Sequence, residues 1–160
     1  YQVFIPLGFQ KMNKLRQSIY EKVKSKGYDC YSYVSSKINS HDKIDCGENC
    51  FILENNTINF DVLIGNNVTI WSSCQIGDEV KIGNNSWLSS HSVLAGKVEL
   101  GENVFLGINT SITNNIRISD YTYIGAGALI TKNTEKKSVY VQKVAEKIDI
   151  ESDIFASITK

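Results

Sequence analysis

The chain repeats every six residues without a slip from Val34 to Glu135. The first positions of the hexads are Val34, Ser40 and Cys46, then Ile or Leu in every hexad from Ile52 to Ile130. Position two is Gly at 47, 65, 77, 83, 101, 107 and 125. Position five is small or β-branched nearly throughout, as in Val62, Val68, Cys74, Val80, Ser86 and Ser92, with Asn56 the exception. An unbroken period of six marks a parallel β-helix. An amphipathic α-helix needs a period near 3.6, which this stretch does not show.

Three hexads make one coil of a triangular prism, so residues 18 apart stack, about 4.8 Å per coil. The sequence then becomes a set of columns. Asn49, Asn67, Asn85 and Asn103 form one corner, where Asn tolerates a left-handed backbone and its amides bond along the column. Phe51, Thr69, Trp87, Phe105 and Tyr123 form an outward aromatic stripe, read as a subunit interface in preference to a surface covered by the chain's own termini. Asp45, Leu63, Lys81, Glu99, Arg117 and Glu135 form a column of mostly alternating charge, expected to face water. Lys43, Asp61, Glu79, Lys97 and Asn115 form a second corner, beside Phe60, Asp78, Gly96 and Asn114. Ser73, His91, Asn109 and Gly127 share the third.

Residues 1–33 differ. Val3–Leu7 read as a buried strand. Lys11–Lys26 read as a helix with Met12, Leu15, Ile19 and Val23 on one face, closed by Gly27 at the C′ position. Its six bases, Lys11, Lys14, Arg16, Lys22, Lys24 and Lys26, are read as a solvated face rather than a phosphate site. The expected division is thus 1–33, a partial α/β segment; 34–135, the β-helix; and 136–160, a tail with Ser138–Val141 extended and Ser152–Thr159 a short helix capped by Ser152.

With 17 acids and 17 bases the chain has no field to recruit nucleic acid or a membrane. No apolar run approaches the roughly 20 residues of a membrane span. Tyr1 is not an initiator Met and residues 1–8 lack a signal-peptide pattern, so the N-terminus reads as cut or processed. Cys46, Cys50 and Cys74 fall on inward positions, where Cys is a small hydrophobe. Cys46-x3-Cys50 has no matching His or Cys pair, so no metal is expected, and a reducing cytoplasm fits this cysteine usage.

The hexads resemble those of the left-handed β-helix acyltransferases. "SSHSVLAG" (89–96), "LGIN" (106–109) and "IGAGALITK" (124–132) look most like the NeuD type of bacterial sugar O-/N-acetyltransferase. "PLGFQKMNKLRQSIYEKVKSKGY" resembles the last strand–helix of that family's N-terminal Rossmann-like domain. The resemblance implies left-handed coils, against the usual right-handed crossover. It implies a homotrimer with acetyl-CoA lying between adjacent prisms, and acylation of a sialic acid or a nucleotide-linked amino sugar in surface-glycan synthesis.

By that resemblance Gly96 matches the glycine whose N–H faces the thioester carbonyl, and Trp87, Ile108 and Ala126 match positions that touch coenzyme A. The family's catalytic histidine falls on Asp78, and its polarising neighbour on Glu79. His91, on another prism edge, is a further candidate base if edges of adjacent prisms converge, while His41 is read as structural. A base at the acceptor and a donor for the oxyanion are the minimum for acyl transfer. An amine acceptor demands less of the base than a hydroxyl does. A γ-type carbonic anhydrase needs three histidines and the chain has two; an ice-binding β-helix needs ranks of Thr, which are absent. The alternative function is a catalytically degenerate trimeric scaffold or sugar-binding module.

Overall fold

The computed structural model describes residues 2–40, 43–143, 145–152, 154 and 156. From Tyr33 to Tyr140 the described residues form a left-handed β-helix built from strands of two residues each. Residues 18 apart pair in parallel, as in Trp87 with Phe105 and Ile76 with Leu94. The strands fall into three sheets, the faces of a prism. The first face holds β3 (Tyr33–Val34), β6 (Phe51–Ile52), β9 (Thr69–Ile70), β12 (Trp87–Leu88), β15 (Phe105–Leu106), β18 (Tyr123–Ile124) and β20 (Val139–Tyr140). The second runs from β4 (Asn39–Ser40) to β19 (Leu129–Ile130), and the third from β5 (Asp45–Cys46) to β17 (Arg117–Ile118).

The hexad accounts for this architecture residue by residue. Ile70, Leu88, Leu106, Ile118 and Ile124 at position one are fully buried, as are Val68, Val80, Val98 and Val104 at position five. Cys50 and Cys74 lie in the same core, and Cys46 is half-buried at its lower end. Position four is left-handed in every hexad from Asn49 (φ 54°) to Gly127 (φ 70°). Each corner therefore turns on one αL residue, three to a coil, at a cost of about 1–2 kcal/mol where that residue is not Gly or Asn. Glu79, His91, Lys97 and Tyr121 all carry it.

The Asn corner is a hydrogen-bonded ladder. Asn49 Nδ2 donates to Asn67 Oδ1 at 2.7 Å, and Asn67 Nδ2 to Asn85 Oδ1 at 2.7 Å. The N-terminal segment closes both ends: Ile5 N–H donates to Asn49 Oδ1 at 2.9 Å, and Asn103 Nδ2 donates to Met12 O at 3.1 Å.

This docking corrects the expectations for residues 1–33. The first strand, β1, is only Gln2–Val3, paired in parallel with β2 (Asp29–Cys30), because the Ile5 N–H is taken by Asn49. The helix α1 spans Lys14–Ser25, not Lys11–Lys26. Lys11, Met12 and Asn13 make a left-handed turn (φ 53°, 56° and 62°) that swings Asn13 onto the prism, where Nδ2 donates to Asn85 O at 2.6 Å. Gly27 (φ 79°) closes the helix as expected.

The face of α1 that meets the prism is polar. Leu15 stays 39 % exposed, whereas Arg16 is 1 % exposed. Its Nη1 donates to Asn67 O at 3.0 Å and Thr69 Oγ1 at 2.5 Å, and its Nη2 to Asn49 O at 2.7 Å. Burial lowers the guanidinium pKa from 12.5 to about 10. Lys24 pairs with Glu48 at 2.7 Å, and Lys14 lies over the Tyr121 ring at 5.2 Å. The solvated basic helix is thus in part a docking surface.

The aromatic stripe is covered within the chain, which overturns its reading as a subunit interface. Phe4 packs on Phe51 (ring centroids 5.6 Å), and Phe9 on both Phe105 (4.7 Å) and Trp87 (5.5 Å). Trp87 and Phe105 are buried in consequence. At the other end the tail leaves the hexad yet adds β20 to the first face, within the stretch expected to be extended. The terminal helix expected over 152–159 falls largely outside the described residues, as does His41. Among the described residues no helix is long and apolar enough to cross a membrane.

Candidate functional site

Three edges join the faces, and the candidate residues divide between two of them. The edge between the second and third faces carries Phe60–Asp61, Asp78–Glu79, Gly96–Lys97 and Asn114–Asn115. The edge between the first and second carries Ser72–Ser73, Ser90–His91, Ile108–Asn109 and Ala126–Gly127. The outward side chains of the second face, including Gln75, Val93, Ser111 and Leu129, lie between them.

At the first of these edges Asp78 and Glu79 are both exposed. Asp78 Oδ1 accepts the Phe60 N–H at 3.3 Å, which leaves Oδ2 toward solvent. Glu79 Oε1 lies 3.4 Å from Lys97 Nζ, and both side chains are more than half exposed, so the pair is worth at most about 1 kcal/mol. Of the stacked acids Asp61 and Glu79, Glu79 is thus paired with Lys97, one of the two lysines read with them from sequence. Gly96 follows directly above Asp78 in the column. Among the described residues neither the Gly96 N–H nor the Asp78 N–H meets an acceptor.

At the other edge Trp87 and Ile108 come together in a cleft of about 260 Å³, lined also by Phe9, Trp71, Ser89 and Ser90. Ala126 stands one coil above Ile108 and is exposed. His91 adjoins Ser90 and is exposed, and among the described residues its bond is that of the main-chain N–H to Ser72 O at 3.3 Å. Trp87 shows only 8 % of its surface, yet its ring still walls this cleft beside Trp71 (5.9 Å between centroids). A second hollow, about 210 Å³, lies between the Pro6–Gly8 strap and the first face, with Arg16, Trp71 and Trp87 in its walls.

Within one protomer the structure therefore groups Asp78, Glu79 and Gly96 on one edge, and His91, Ile108, Ala126 and the flank of Trp87 on another. It does not bring the two groups together. Sequence reasoning missed Arg16, Phe9 and the serines at 89 and 90. One signal for Arg16 was available: Thr69 interrupts the aromatic stripe, and its hydroxyl is what the guanidinium reaches. Among the described residues no group of three or more His, Cys, Asp or Glu is placed to hold a metal ion.

The family model described as bacterial transferase hexapeptide (six repeats) matches residues 57–96 and 97–132. Residues 57–132, within the repeat domain, thus carry hexapeptide repeats like those of that family. None of the curated proteins compared matches the chain by sequence. Among solved structures, PerB from Caulobacter crescentus, in complex with CoA and GDP-perosamine, superimposes with a TM-score of 0.83 at 23% identity, covering 88% of this chain and 67% of that one. The acetyltransferase domain of PglB from Neisseria gonorrhoeae gives 0.77 at 14%, covering 85% and 66%. A mutant of AntD, an N-acyltransferase from Bacillus cereus bound to dTDP-4-amino-4,6-dideoxyglucose and coenzyme A, gives 0.64 at 17%, covering 88% and 93%. This chain thus spans about two thirds of the length of the first two.

Proposed function

We propose that the chain is an acyl-CoA-dependent N-acyltransferase whose acceptor is the amine of a nucleotide-linked amino sugar, acting in the cytoplasm in surface-glycan synthesis. Acetyl is the expected acyl group. The observation that carries the reading is the corner of Asp78 and Gly96, where an accessible carboxylate stands directly beneath an unbonded main-chain N–H. The structural neighbours support amine acceptors, since PerB is bound to CoA and GDP-perosamine and AntD is an N-acyltransferase bound to an amino-sugar nucleotide.

The chemistry follows from those groups. A neutral amine attacks the thioester carbon, the carbonyl oxygen becomes an oxyanion, and the C–S bond breaks. The Gly96 N–H supports the oxyanion. The proton released by the nitrogen passes to Asp78 Oδ2 and on to the departing sulfur, with Glu79 held aside by Lys97. A neutral amine is nucleophilic without deprotonation, so a carboxylate suffices where an alcohol would require an imidazole matched near neutral pH.

The coenzyme lies along Trp87, Ile108 and Ala126. Because those residues occupy a different edge from Gly96, the reading requires a homotrimer in which the two edges of adjacent copies face each other, and this would also bring His91 to the cleft as the alternative base. Residues 1–33 are read as a partial Rossmann-like α/β segment on the nucleotide side of the acceptor.

A second reading, a non-catalytic trimeric scaffold, draws on the structural engagement of both acids, Asp78 by Phe60 and Glu79 by Lys97. Release of CoA from acetyl-CoA in the presence of nucleotide-linked 4-amino sugars separates the two. The enzyme reading expects turnover that falls at least tenfold in Asp78→Asn or in His91→Ala. Full activity in both variants removes both bases, and no turnover with any such acceptor leaves the scaffold.

A further inference from the structure

In this prism the N–H at the third position of a hexad is directed toward the same position one coil up. Where Asn or Asp stands there, the side chain usually accepts it: Glu48 N–H by Asn66 Oδ1 at 2.8 Å, Asn66 N–H by Asn84 Oδ1 at 2.8 Å, Phe60 N–H by Asp78 Oδ1 at 3.3 Å, and Glu102 N–H by Asp120 Oδ1 at 3.1 Å. The Asp78 N–H faces Gly96 instead, which has no side chain to offer.

Nothing in the fold asks for glycine there. A Cβ on Gly77 would stand 2.8 Å from Gly96 N, and one on Gly107 2.5 Å from Ala126 N, so crowding compels those glycines. Gly127 is at φ 70° and needs its freedom for the corner. Gly96 has no positive φ, and a Cβ on it would meet only Asp78 O, at the ordinary contact distance of 3.5 Å. A side chain at 96 is excluded neither by space nor by backbone. What its absence leaves is open space over the Asp78 N–H.

We infer that the main-chain N–H of Asp78 is a second donor to the thioester oxygen, which occupies the space a side chain at position 96 would fill. The inference rests on the acyl-transfer reading above and deepens it. The Asp78 N–H points up the column into that space, one coil or about 4.8 Å below Gly96. As the amine adds and the C–S bond breaks, the N–H gains and loses no proton; it offers a fixed dipole to the charge that forms and vanishes on oxygen. Asp78 thus contributes through its backbone as well as its carboxylate, and Asp78→Asn leaves the backbone contribution in place.

The test is the amide spectrum of the 15N-labelled full chain, titrated with acetyl-CoA and separately with CoA, which lacks the carbonyl. The Asp78 amide should move with acetyl-CoA and not with CoA, while the Ile108 and Ala126 amides answer to both. In Gly96→Asn, whose side chain caps the N–H as Asn84 caps Asn66, melting should be no lower than in the wild type and the Asp78 response to acetyl-CoA should vanish. An unmoved Asp78 amide alongside responding Ile108 and Ala126 overturns the inference but spares the coenzyme reading. A persisting Asp78 response in Gly96→Asn also overturns it. No response anywhere to either ligand removes the acyl-CoA reading and the inference together.

Discussion

Replacing Arg16 by Met should release the N-terminal segment while leaving the prism folded. The guanidinium makes three hydrogen bonds, to Asn67 O, Thr69 Oγ1 and Asn49 O. From a charged donor each is worth about 1.5–3 kcal/mol. Against them stands the burial of the charge. The fall in its pKa from 12.5 to about 10 corresponds to roughly 3 kcal/mol against the charged form. The difference leaves the segment about 1.5–6 kcal/mol less firmly docked. Arg16→Lys should rank near it, because one ammonium cannot span three acceptors on two coils. Hydrogen exchange reads the effect directly: amides of β1 and α1 should exchange at least about tenfold faster, with those of core positions such as Leu88 and Leu106 unchanged. Tryptophan fluorescence should shift as well, because Phe9 leaves the Trp87 ring. Unchanged exchange in α1 of Arg16→Met would refute the reasoning, since it would mean that aromatic packing alone holds the segment.

Three further outcomes follow from the same structure. Asn67→Ala loses two ladder bonds and places Ala at φ 59°, so urea unfolding should show a loss of about 3 kcal/mol, with Asn67→Gly less damaging because it spares the backbone strain; equal losses would contradict this. The Cys46 thiol is lowered by the neighbouring Cys50 thiol, whereas burial raises Cys30, and raises Cys74 to about 11. Iodoacetamide at neutral pH should therefore modify Cys46 first, and earlier labelling of Cys30 or Cys74 would count against that ordering. The Asp120 carboxyl is held below its ordinary 3.8 by Lys136 and by the Glu102 N–H. Its contribution is complete above the unfolded value and is lost as pH falls through the lower folded one. Melting temperature should thus drop less steeply below about pH 4 in Asp120→Asn than in the wild type; parallel curves would refute the assignment.

The prism was legible in the sequence because its period is set by side chains that each coil repeats. Ile, Leu and Val at positions one and five have one environment, the interior, and position four has one backbone conformation. The pairing of Trp87 with Phe105 followed from arithmetic alone. The aromatic stripe was legible as a contact surface, but its partner was not. Three consecutive left-handed residues at Lys11–Asn13 carry no propensity signal, since neither Lys nor Met favours that region. Arg16 reads as a solvated base until the carbonyls of the Asn corner are seen in front of it. At the candidate site the residue identities were legible and their grouping was not: Asp78 and Gly96 share an edge by the 18-residue spacing, while Trp87 and Ile108 meet across the next one. The openness of Gly96 is invisible in sequence, because its letter is the same as that of glycines forced by crowding.

Calorimetric titration of acetyl-CoA into the assembled protein tests the central claim most directly. If the corner of Asp78 and Gly96 and the cleft of Trp87 and Ile108 together form an acyl-transfer site, binding is saturable, with one acetyl-CoA per chain, and is weakened by a bulky substitution at Ala126. Absence of any binding heat at millimolar acetyl-CoA, in protein whose hydrogen exchange shows an intact prism, contradicts it.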